Sequence, residues 1–311
     1  MEVVWLLVSL VILYFGAEWL VSGASSFAAR LGVSPLIIGL TIVSMGTSAP
    51  ELVVSVKAAM NGQSALSIGN VLGSNLFNVG IILGISALIY PLAIKRQLLK
   101  FDAPVMVLTA VLFFVLFLDG RISSVEAFLF VFLFVAYMAY LFVTSLKNKN
   151  RASEGDEVIK QFKHWAIDVL LIALGFAGLV YGSNLLVDNA IIIAQKLGMS
   201  EALIGLTIVA VGTSMPELAT SVVAALKKRS DIAIGNVVGS NIFNLLLILG
   251  VAGVIYPIET PDINIMDSLF VVGISALLWF FMKIGTRVRR WQGTIFLGVY
   301  LVYFLIKFAT L

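Results

Sequence analysis

Long apolar stretches, separated by short polar turns, follow one another along the whole chain. A bilayer-spanning α-helix needs about 20 mostly apolar residues, so this pattern predicts a series of membrane-spanning helices. We place ten of them, at residues 3–22, 35–59, 65–90, 103–119, 123–145, 165–190, 201–226, 231–256, 266–283 and 291–310. One long polar segment, 147–164, leaves five predicted helices on either side, and we interpret it as a surface linker.

The two halves of the chain repeat one another at a fixed spacing. Residues 39–51 read GLTIVSMGTSAPE and residues 205–217 read GLTIVAVGTSMPE, an offset of 166 positions. Residues 67–78, SIGNVLGSNLFN, and 233–244, AIGNVVGSNIFN, have the same offset, with no insertion or deletion between the blocks. The chain therefore contains a duplicated unit, and each copy carries two polar helices interrupted by Gly or Pro.

An odd number of helices in each copy makes the second copy enter the membrane from the opposite side. We therefore predict an all-α polytopic membrane protein, with ten transmembrane helices arranged as two inverted five-helix repeats. The first repeat comprises residues 1–146 and the second comprises residues 165–311, joined by a cytoplasmic linker at 147–164. Paired helix interruptions of this kind are typical of a transport site near the bilayer midplane.

Composition excludes a soluble globular protein. Hydrophobic residues make up 60% of the chain and charged residues 12%, with a mean hydropathy of +1.08, whereas soluble domains carry about 25% charged residues. The net charge of +3 does not indicate nucleic-acid binding, because the basic residues cluster in loops between apolar stretches. The chain has no Cys, and its single His164 lies in the predicted linker, which removes the usual transition-metal ligands.

The basic residues also predict the orientation. In the ten-helix arrangement, sixteen of the twenty Lys and Arg residues fall on one side of the membrane, including those of the linker 147–164. Cytoplasmic loops carry an excess of Lys and Arg, so this side is expected to be cytoplasmic. Both termini are then extracytoplasmic, and the expected location is the cell membrane.

Polar residues recur at helical i, i+3 and i+4 spacing on four of the predicted helices, so each set forms one stripe. The stripes are Ser44, Thr47, Ser48, Glu51 and Ser55; Ala210, Thr213, Ser214, Glu217 and Ser221; Ser67, Asn70, Ser74 and Asn78; and Asn236, Ser240 and Asn244. Intramembrane carboxylates are costly in hydrocarbon and are functional candidates by default. We therefore expect the stripes to face one interior cavity.

Two prolines add main-chain ligands to this set. Pro50 and Pro216 lack an N–H group, so the helix bond to the carbonyl four residues earlier is lost, and carbonyls near Thr47 and Thr213 can face a cation. The candidate ligands are then all hard oxygens, which suit Ca²⁺ and Na⁺. Mg²⁺ is disfavoured, because it gives up its hydration shell reluctantly.

Charge leaves two ways to fill the cavity. One divalent cation neutralises Glu51 and Glu217 together, whereas several monovalent cations in neighbouring hydroxyl-lined positions achieve the same balance. Competition between Ca²⁺ and Na⁺ follows naturally from this arrangement. Glu18 is a third carboxylate in an apolar stretch, with Asn184 as its counterpart, and an interfacial position and an ion-binding role both remain open for it.

Two glycine pairs stand just before the serines of these stripes. Gly69 and Gly73, and likewise Gly235 and Gly239, have the GxxxG spacing that lets helix backbones approach closely in lipid. We therefore expect both pairs to form close helix contacts.

With GTSAPE at 46–51, GTSMPE at 212–217 and the two GNVxGSNxFN segments after them, the chain resembles the calcium/cation antiporter superfamily, and within it the prokaryotic sodium/calcium exchangers. The resemblance covers both halves. It implies cation sites arranged as a diamond at the membrane centre. By motif position, Glu51 and Glu217 would be the central Ca²⁺ ligands, and Thr47 and Thr213 would contribute main-chain carbonyls.

The resemblance also implies two flanking Na⁺ sites. Their lining would be Ser48, Ser74 and the carbonyl of Ser44 on one side, and Ser214, Ser240 and the carbonyl of Ala210 on the other. The predicted first and sixth helices would slide as a gate past the remaining eight, and their small residues are compatible with this motion.

At two places the chain departs from related antiporters, and both departures bear on which ion is exchanged for Ca²⁺. Asn78 and Asn244 would border the central positions, but relatives that use K⁺ carry an aspartate where this chain has Asn244, which speaks against K⁺ transport. Gly73 and Gly239 stand where the proton-coupled branch usually has acidic residues, and this speaks against proton coupling.

The function expected from the sequence is therefore a secondary antiporter that exchanges Na⁺ for Ca²⁺ by alternating access. A Ca²⁺/H⁺ antiporter and a cation channel are the alternatives. The expected partners are the two transported ions and the lipid bilayer, without nucleic acid or a required oligomer. No enzymatic activity or cofactor is expected, because the helices carry no convincing nucleophile and base pair.

Overall fold

The computed structural model describes residues 2–147, 161–197, 210–259 and 265–309, and nearly all of them are helical. In the first half the α-helices are α1 (Glu2–Leu31), α2 (Pro35–Ile38), α3 (Ser44–Thr47), α4 (Ala49–Met60), α5 (Ser64–Phe77), α6 (Gly84–Ile89), α7 (Ala103–Leu116) and α8 (Ser124–Lys147). In the second half they are α9 (Trp165–Lys196), α10 (Ala210–Thr213), α11 (Met215–Leu226), α12 (Ser230–Phe243), α13 (Leu249–Ile255), α14 (Ile265–Ile284) and α15 (Arg290–Ala309).

Several of these helices are continuous through short π-helical segments, in which the backbone is locally wider than an α-helix. The described π-helical segments are Gly39–Val43, Asn78–Leu83, Leu98–Asp102 and Asn244–Ile248. They join α2 to α3, α5 to α6 and α12 to α13, and one of them precedes α7. Three of these segments lie inside predicted spans, at 35–59, 65–90 and 231–256, and Leu98–Asp102 lies before the predicted span 103–119.

Within the described residues, seven helices are long and apolar enough to cross a membrane. An eighth is obtained if Pro35–Thr47 and Ala49–Met60, which meet at an angle of 48°, form one bent span. α11 is apolar but shorter, and the first part of the predicted helix 201–226 lies outside the described residues. Most of the predicted linker 147–164 also lies outside them. The chain is therefore a multi-span membrane protein.

α1 is longer than the sequence predicted. It continues to Leu31, whereas the apolar stretch ends near residue 22. The extension contains serines that lower the hydropathy but keep their hydroxyls satisfied within the fold. Ser25 Oγ donates to the carbonyl of Val21 at 2.7 Å, and Ser26 Oγ donates to Asp168 Oδ1 at 2.6 Å.

The helices differ sharply in how deeply they are buried. In the spans Ser64–Ile89 and Ser230–Ile255, 72% and 78% of the most apolar window is buried inside the protein, against 28% for α1 and 22% for α9. The polar motif helices therefore form the centre, and α1 and α9 lie at the periphery, where their large apolar side chains face outward.

α1 and α9 pack against each other through glycines. A Cβ atom at Gly16 would lie 2.9 Å from the amide nitrogen of Leu179, and one at Gly175 would lie 2.7 Å from the amide nitrogen of Leu20. These distances leave no room for a side chain, so the backbones of the two helices are in direct contact.

An ion pair closes each end of this helix pair. Arg30 Nε lies 2.7 Å from Asp168 Oδ2, and Lys196 Nζ lies 2.8 Å from Glu2 Oε1. Asp168 follows Glu2 by 166 positions, and Lys196 follows Arg30 by the same offset. The two helices are therefore antiparallel, and the two ion pairs are equivalent under the offset of the duplication.

Two small antiparallel ladders connect the halves of the chain. β1 (Leu92–Ala93) pairs with β4 (Arg287–Val288), and β2 (Arg121–Ile122) pairs with β3 (Ile258–Glu259). β3 follows β1 and β4 follows β2 by 166 positions, so each ladder takes one strand from each half, with the roles exchanged.

The two GxxxG pairs differ in their surroundings. A Cβ atom at Gly235 would lie 3.0 Å from the carbonyl oxygen of Leu36, and one at Gly239 would lie 2.7 Å from that of Leu40, so this pair packs closely on the helix of the first half. No described residue lies within 4 Å of a Cβ built at Gly69 or Gly73, so close packing of this pair stays a prediction. Residues 198–209, the counterpart of the segment that covers the other pair, lie outside the described part.

Candidate cation-binding site

The site is built where two helices break. Between α3 and α4, Ser48 leaves helical geometry with φ −83° and ψ 8°, and between α10 and α11, Ser214 does so with φ −88° and ψ 8°. A proline follows as the second residue of the next helix in both cases, where a missing N–H costs nothing. Glu51 and Glu217 then lie in the first turn of α4 and α11, where the helix dipole favours negative charge.

The serine at each break binds the glutamate of the other half. Ser48 Oγ lies 2.8 Å from Glu217 Oε1 and 3.0 Å from Ser240 Oγ. In the equivalent contacts, Ser214 Oγ lies 3.0 Å from Glu51 Oε1 and 3.2 Å from Ser74 Oγ. All six side chains are buried, so the structure brings the predicted serines and glutamates into one enclosed cluster.

The two threonines are fixed by amides across the same boundary. Thr47 Oγ1 donates to Asn236 Oδ1 at 3.1 Å, and Thr213 Oγ1 donates to Asn70 Oδ1 at 3.5 Å. Asn236 Nδ2 in turn donates to Ser221 Oγ at 3.0 Å. These bonds connect α3 and α11 to α12, and α10 to α5.

Asn78 and Asn244 lie four positions beyond Ser74 and Ser240, each as the first residue of a π-helical segment. Asn78 Nδ2 donates to Asn241 Oδ1 at 3.0 Å, and Asn244 Nδ2 donates to Asn75 Oδ1 at 3.0 Å. The sequence stripes did not include Asn75 and Asn241. Their signal was present in the chain, since they occupy the same place in both copies of the GSN motif.

Four buried oxygen atoms in this region have no hydrogen-bond partner among the described residues: Glu51 Oε2, Glu217 Oε2, Asn78 Oδ1 and Asn244 Oδ1. Each residue is at most 1% exposed. Buried polar atoms are rarely left without a partner, because the cost is about 1–3 kcal/mol each. All four are acceptors, so the partner that suits them is a donor or a cation.

The electrostatics favour a cation. Among the described residues, neither Glu51 nor Glu217 forms an ion pair with Lys or Arg. The same part of the chain holds no group of three or more His, Cys, Asp or Glu side chains placed to bind one metal ion. A bound cation would therefore rest on two carboxylates and neutral oxygens, the donor set that suits Ca²⁺ and Na⁺.

The remaining predicted residues are placed as follows. The Ser44 hydroxyl donates to the carbonyl of Leu40 at 2.9 Å, and the Ser44 carbonyl accepts from the Ser48 amide at 3.0 Å. Ala210 is the first residue of α10, and its side chain lies outside the described part. Glu18 is half-exposed and pairs with Lys227 at 3.1 Å, away from the cluster of serines and glutamates.

Known proteins are similar to this chain in sequence. A family model described as sodium/calcium exchanger protein matches residues 1–143 and 167–309. The chain is 36% identical over 340 residues to the sodium/calcium exchanger MaX1 of Methanosarcina acetivorans, covering 97% of each chain. It is 33% identical over 311 residues to the inner membrane protein YrbG of Escherichia coli, covering 96% of this chain and 94% of that protein.

A solved structure agrees with the sequence matches. The sodium-calcium exchanger NCX_Mj, soaked with Na⁺ and Ca²⁺, matches with a TM-score of 0.86 at 31% identity, covering 98% of this chain and 97% of that one. NCX_Mj soaked with Na⁺ and Sr²⁺ matches with the same TM-score. The family model, the relatives and the fold agree over both halves, and the chain belongs to the sodium/calcium exchanger protein family.

Proposed function

We propose that this protein is an antiporter that exchanges Na⁺ for Ca²⁺ across the cell membrane. The observation that carries the proposal is the set of four buried, unpartnered oxygens on Glu51, Glu217, Asn78 and Asn244. Two of these oxygens belong to carboxylates, and one Ca²⁺ neutralises both. The names of MaX1 and NCX_Mj as sodium/calcium exchangers support the same pair of ions.

Sodium takes the hydroxyl-lined positions on either side of the glutamates in this proposal. Ser48 and Ser240 line one position, and Ser214 and Ser74 line the other, because the hydroxyl contacts run between the halves. This replaces the grouping implied by the motif resemblance, which put Ser48 with Ser74 and Ser214 with Ser240. When Ca²⁺ is absent, these hydroxyls donate to a glutamate. When Na⁺ is bound, they turn and present their lone pairs to the Na⁺. Thr47 and Thr213 contribute main-chain carbonyls, as do Ser44 and Ala210 at the flanking positions.

The proposed architecture is ten transmembrane helices in two inverted repeats, residues 1–146 and 165–311, with the linker 147–164 between them. Contacts that recur at the offset of 166 support it: the exchanged β-ladders, the crossed serine–glutamate bonds and the two ion pairs between α1 and α9. A two-fold axis relating the repeats places both termini on one side of the membrane, which the basic loops assign as extracytoplasmic.

Alternating access is proposed to occur by movement of α1 and α9 together past the central helices. Ion pairs at both ends and direct backbone contact between them support motion as a single unit. The low burial of α1 and α9 is consistent with a mobile pair outside a fixed centre.

Proteoliposomes test the exchange directly. Vesicles loaded with Na⁺ and diluted into Na⁺-free medium should take up Ca²⁺, and uptake should disappear when the Na⁺ gradient is removed. Uptake driven by a pH gradient without Na⁺ would contradict sodium coupling. Ca²⁺ flux without saturable counterflow would instead indicate a channel.

The roles of the glutamates are tested in the same vesicles. Glu51→Gln and Glu217→Gln keep the side-chain shape and the acceptor for serine, but each removes one charge, so Ca²⁺ uptake should fall to background. Glu259→Gln is the matched control, because that carboxylate is 62% exposed and lies in β3. Normal uptake by both site variants would remove the glutamates from the cation site.

A further inference from the structure

Behind the proposed cation site, two asparagines bridge the central helices. Asn75 on α5 and Asn241 on α12 are 0% and 1% exposed, and each directly follows a serine of the site. Neither side chain has an unpartnered atom among the described residues. The side chains of Asn75 and Asn241 form hydrogen bonds with Asn244 and Asn78, the candidate cation ligands of the opposite half.

The hydrogen bonds form a crossed pattern. Asn75 Oδ1 accepts from Asn244 Nδ2, and Asn241 Oδ1 accepts from Asn78 Nδ2, both at 3.0 Å. Asn75 Nδ2 donates to the main-chain carbonyl of Asn241 at 3.4 Å, and Asn241 Nδ2 donates to that of Asn75 at the same distance. The main-chain bonds fix which end of each bridging amide is the carbonyl.

The orientation of one amide decides that of the next. Because the carbonyl of Asn75 faces Asn244, only the NH₂ group of Asn244 can bond to it. The Asn244 oxygen is then turned to the other side, where it is buried and unpartnered. Turning the Asn244 amide over would bring its carbonyl oxygen against that of Asn75. The same argument holds for Asn241 and Asn78.

We propose that Asn75 and Asn241 are positioning residues that keep the amide oxygens of Asn244 and Asn78 directed at the transported cation. The inference rests on the proposed cation site, and it adds residues that do not touch the ion. The asparagine of each half orients the amide ligand that belongs to the other half. Ca²⁺ binding by both halves is thereby tied to the contact between α5 and α12.

A purely structural role for these amides predicts a different experimental result. If they only hold α5 and α12 together, removing them lowers stability and the amount of folded protein, but not the Ca²⁺ concentration at half-maximal uptake. A positioning role raises that concentration in protein that is folded. The two readouts, apparent Tm and half-saturating Ca²⁺, therefore separate the two roles.

The first experiment compares two substitutions whose side chains branch at Cγ, as that of Asn75 does. Asn75→Asp keeps an acceptor for Asn244 Nδ2, whereas Asn75→Leu removes it. We expect Asn75→Leu to raise half-saturating Ca²⁺ about five- to thirty-fold, as for loss of one buried hydrogen bond to a ligand. Asn75→Asp should stay within about threefold of the wild type, on the same scale. Equal values for the two variants would overturn the inference.

The second experiment is a double-mutant cycle on half-saturating Ca²⁺. If Asn75 acts through Asn244, adding Asn75→Leu to Asn244→Ala should cause no further loss, whereas adding it to Asn78→Ala should multiply the two single effects. Independent effects of Asn75→Leu and Asn244→Ala would refute the coupling. Should Asn75→Leu not fold, Asn241→Leu and Asn241→Asp carry the same test on Asn78.

The outcomes also distinguish this inference from the proposed function. Absence of Na⁺-dependent Ca²⁺ uptake by the wild type contradicts the proposed function. Normal wild-type exchange with half-saturating Ca²⁺ unchanged in folded Asn75→Leu contradicts the positioning role alone.

Discussion

The two ion pairs that tie α1 to α9 offer a matched test of what burial does to an ionic contact. They are equivalent under the offset of the duplication and join the same two helices, but their surroundings differ. The Asp168 side chain is 0% exposed and its partner Arg30 is 27% exposed, whereas Glu2 and Lys196 are 30% and 62% exposed.

Replacing Asp168 by alanine should destabilise the protein strongly. The carboxylate accepts from Ser26 Oγ at 2.6 Å as well as from Arg30 Nε at 2.7 Å, and alanine leaves both donors without this acceptor. Removing one partner of a fully buried pair costs about 3–5 kcal/mol. Since water can reach Arg30 after the change, we expect a smaller loss, about 2–3 kcal/mol.

Glu2→Ala is the control, because an exposed pair is screened by water and contributes little. The assay is thermal unfolding of purified protein in detergent, followed by tryptophan fluorescence. Asp168→Ala should lower the apparent Tm by several degrees, and Glu2→Ala should leave it almost unchanged. In addition, Arg30→Ala combined with Asp168→Ala should cost less than the sum of the single changes. Equal shifts for Asp168→Ala and Glu2→Ala would refute the argument from burial.

Two further predictions concern the α1–α9 contact and the cation. Gly175→Val should separate the two helices and reduce both stability and exchange, because its Cβ would lie 2.7 Å from the amide nitrogen of Leu20. Gly273→Val, which has no neighbour within 4 Å among the described residues, should be tolerated in both assays; equal losses would contradict this packing. Ca²⁺ at about 100 times its Kd should stabilise the protein by about 2.7 kcal/mol, and the same concentration of Mg²⁺ should not. Equal rises of apparent Tm with both ions would argue against a site selective for Ca²⁺.

The sequence predicted the glutamate and serine part of the candidate site because those residues lie on one helical stripe. Glu51 follows Ser48 by three positions and Thr47 by four, and the same spacing recurs around Glu217. Spacing along one helix does not say which residues of another helix it meets. The crossed bonds, from the serine of one half to the glutamate of the other, became known only from the fold.

Three structural features could not be predicted from the sequence, each for a physical reason. Asn75 follows Ser74 directly, so it lies about 100° around the helix from the stripe that i+4 spacing selects. The end of α1 at Leu31 was missed because a hydropathy window does not recognise serines whose hydroxyls are bonded inside the protein. The π-helical turns at Asn78 and Asn244 alter backbone bonding without altering composition.

The exchanged β-ladders have a consequence for how the halves relate to each other. Each half offers the same two strands, and each strand binds the non-equivalent strand of the other half. In assemblies of separate chains this is an isologous contact, in which one self-complementary surface meets its own copy across a two-fold axis. In the proposed two-repeat architecture, the single chain corresponds to a homodimer whose subunits have been joined covalently, so that their association no longer depends on concentration.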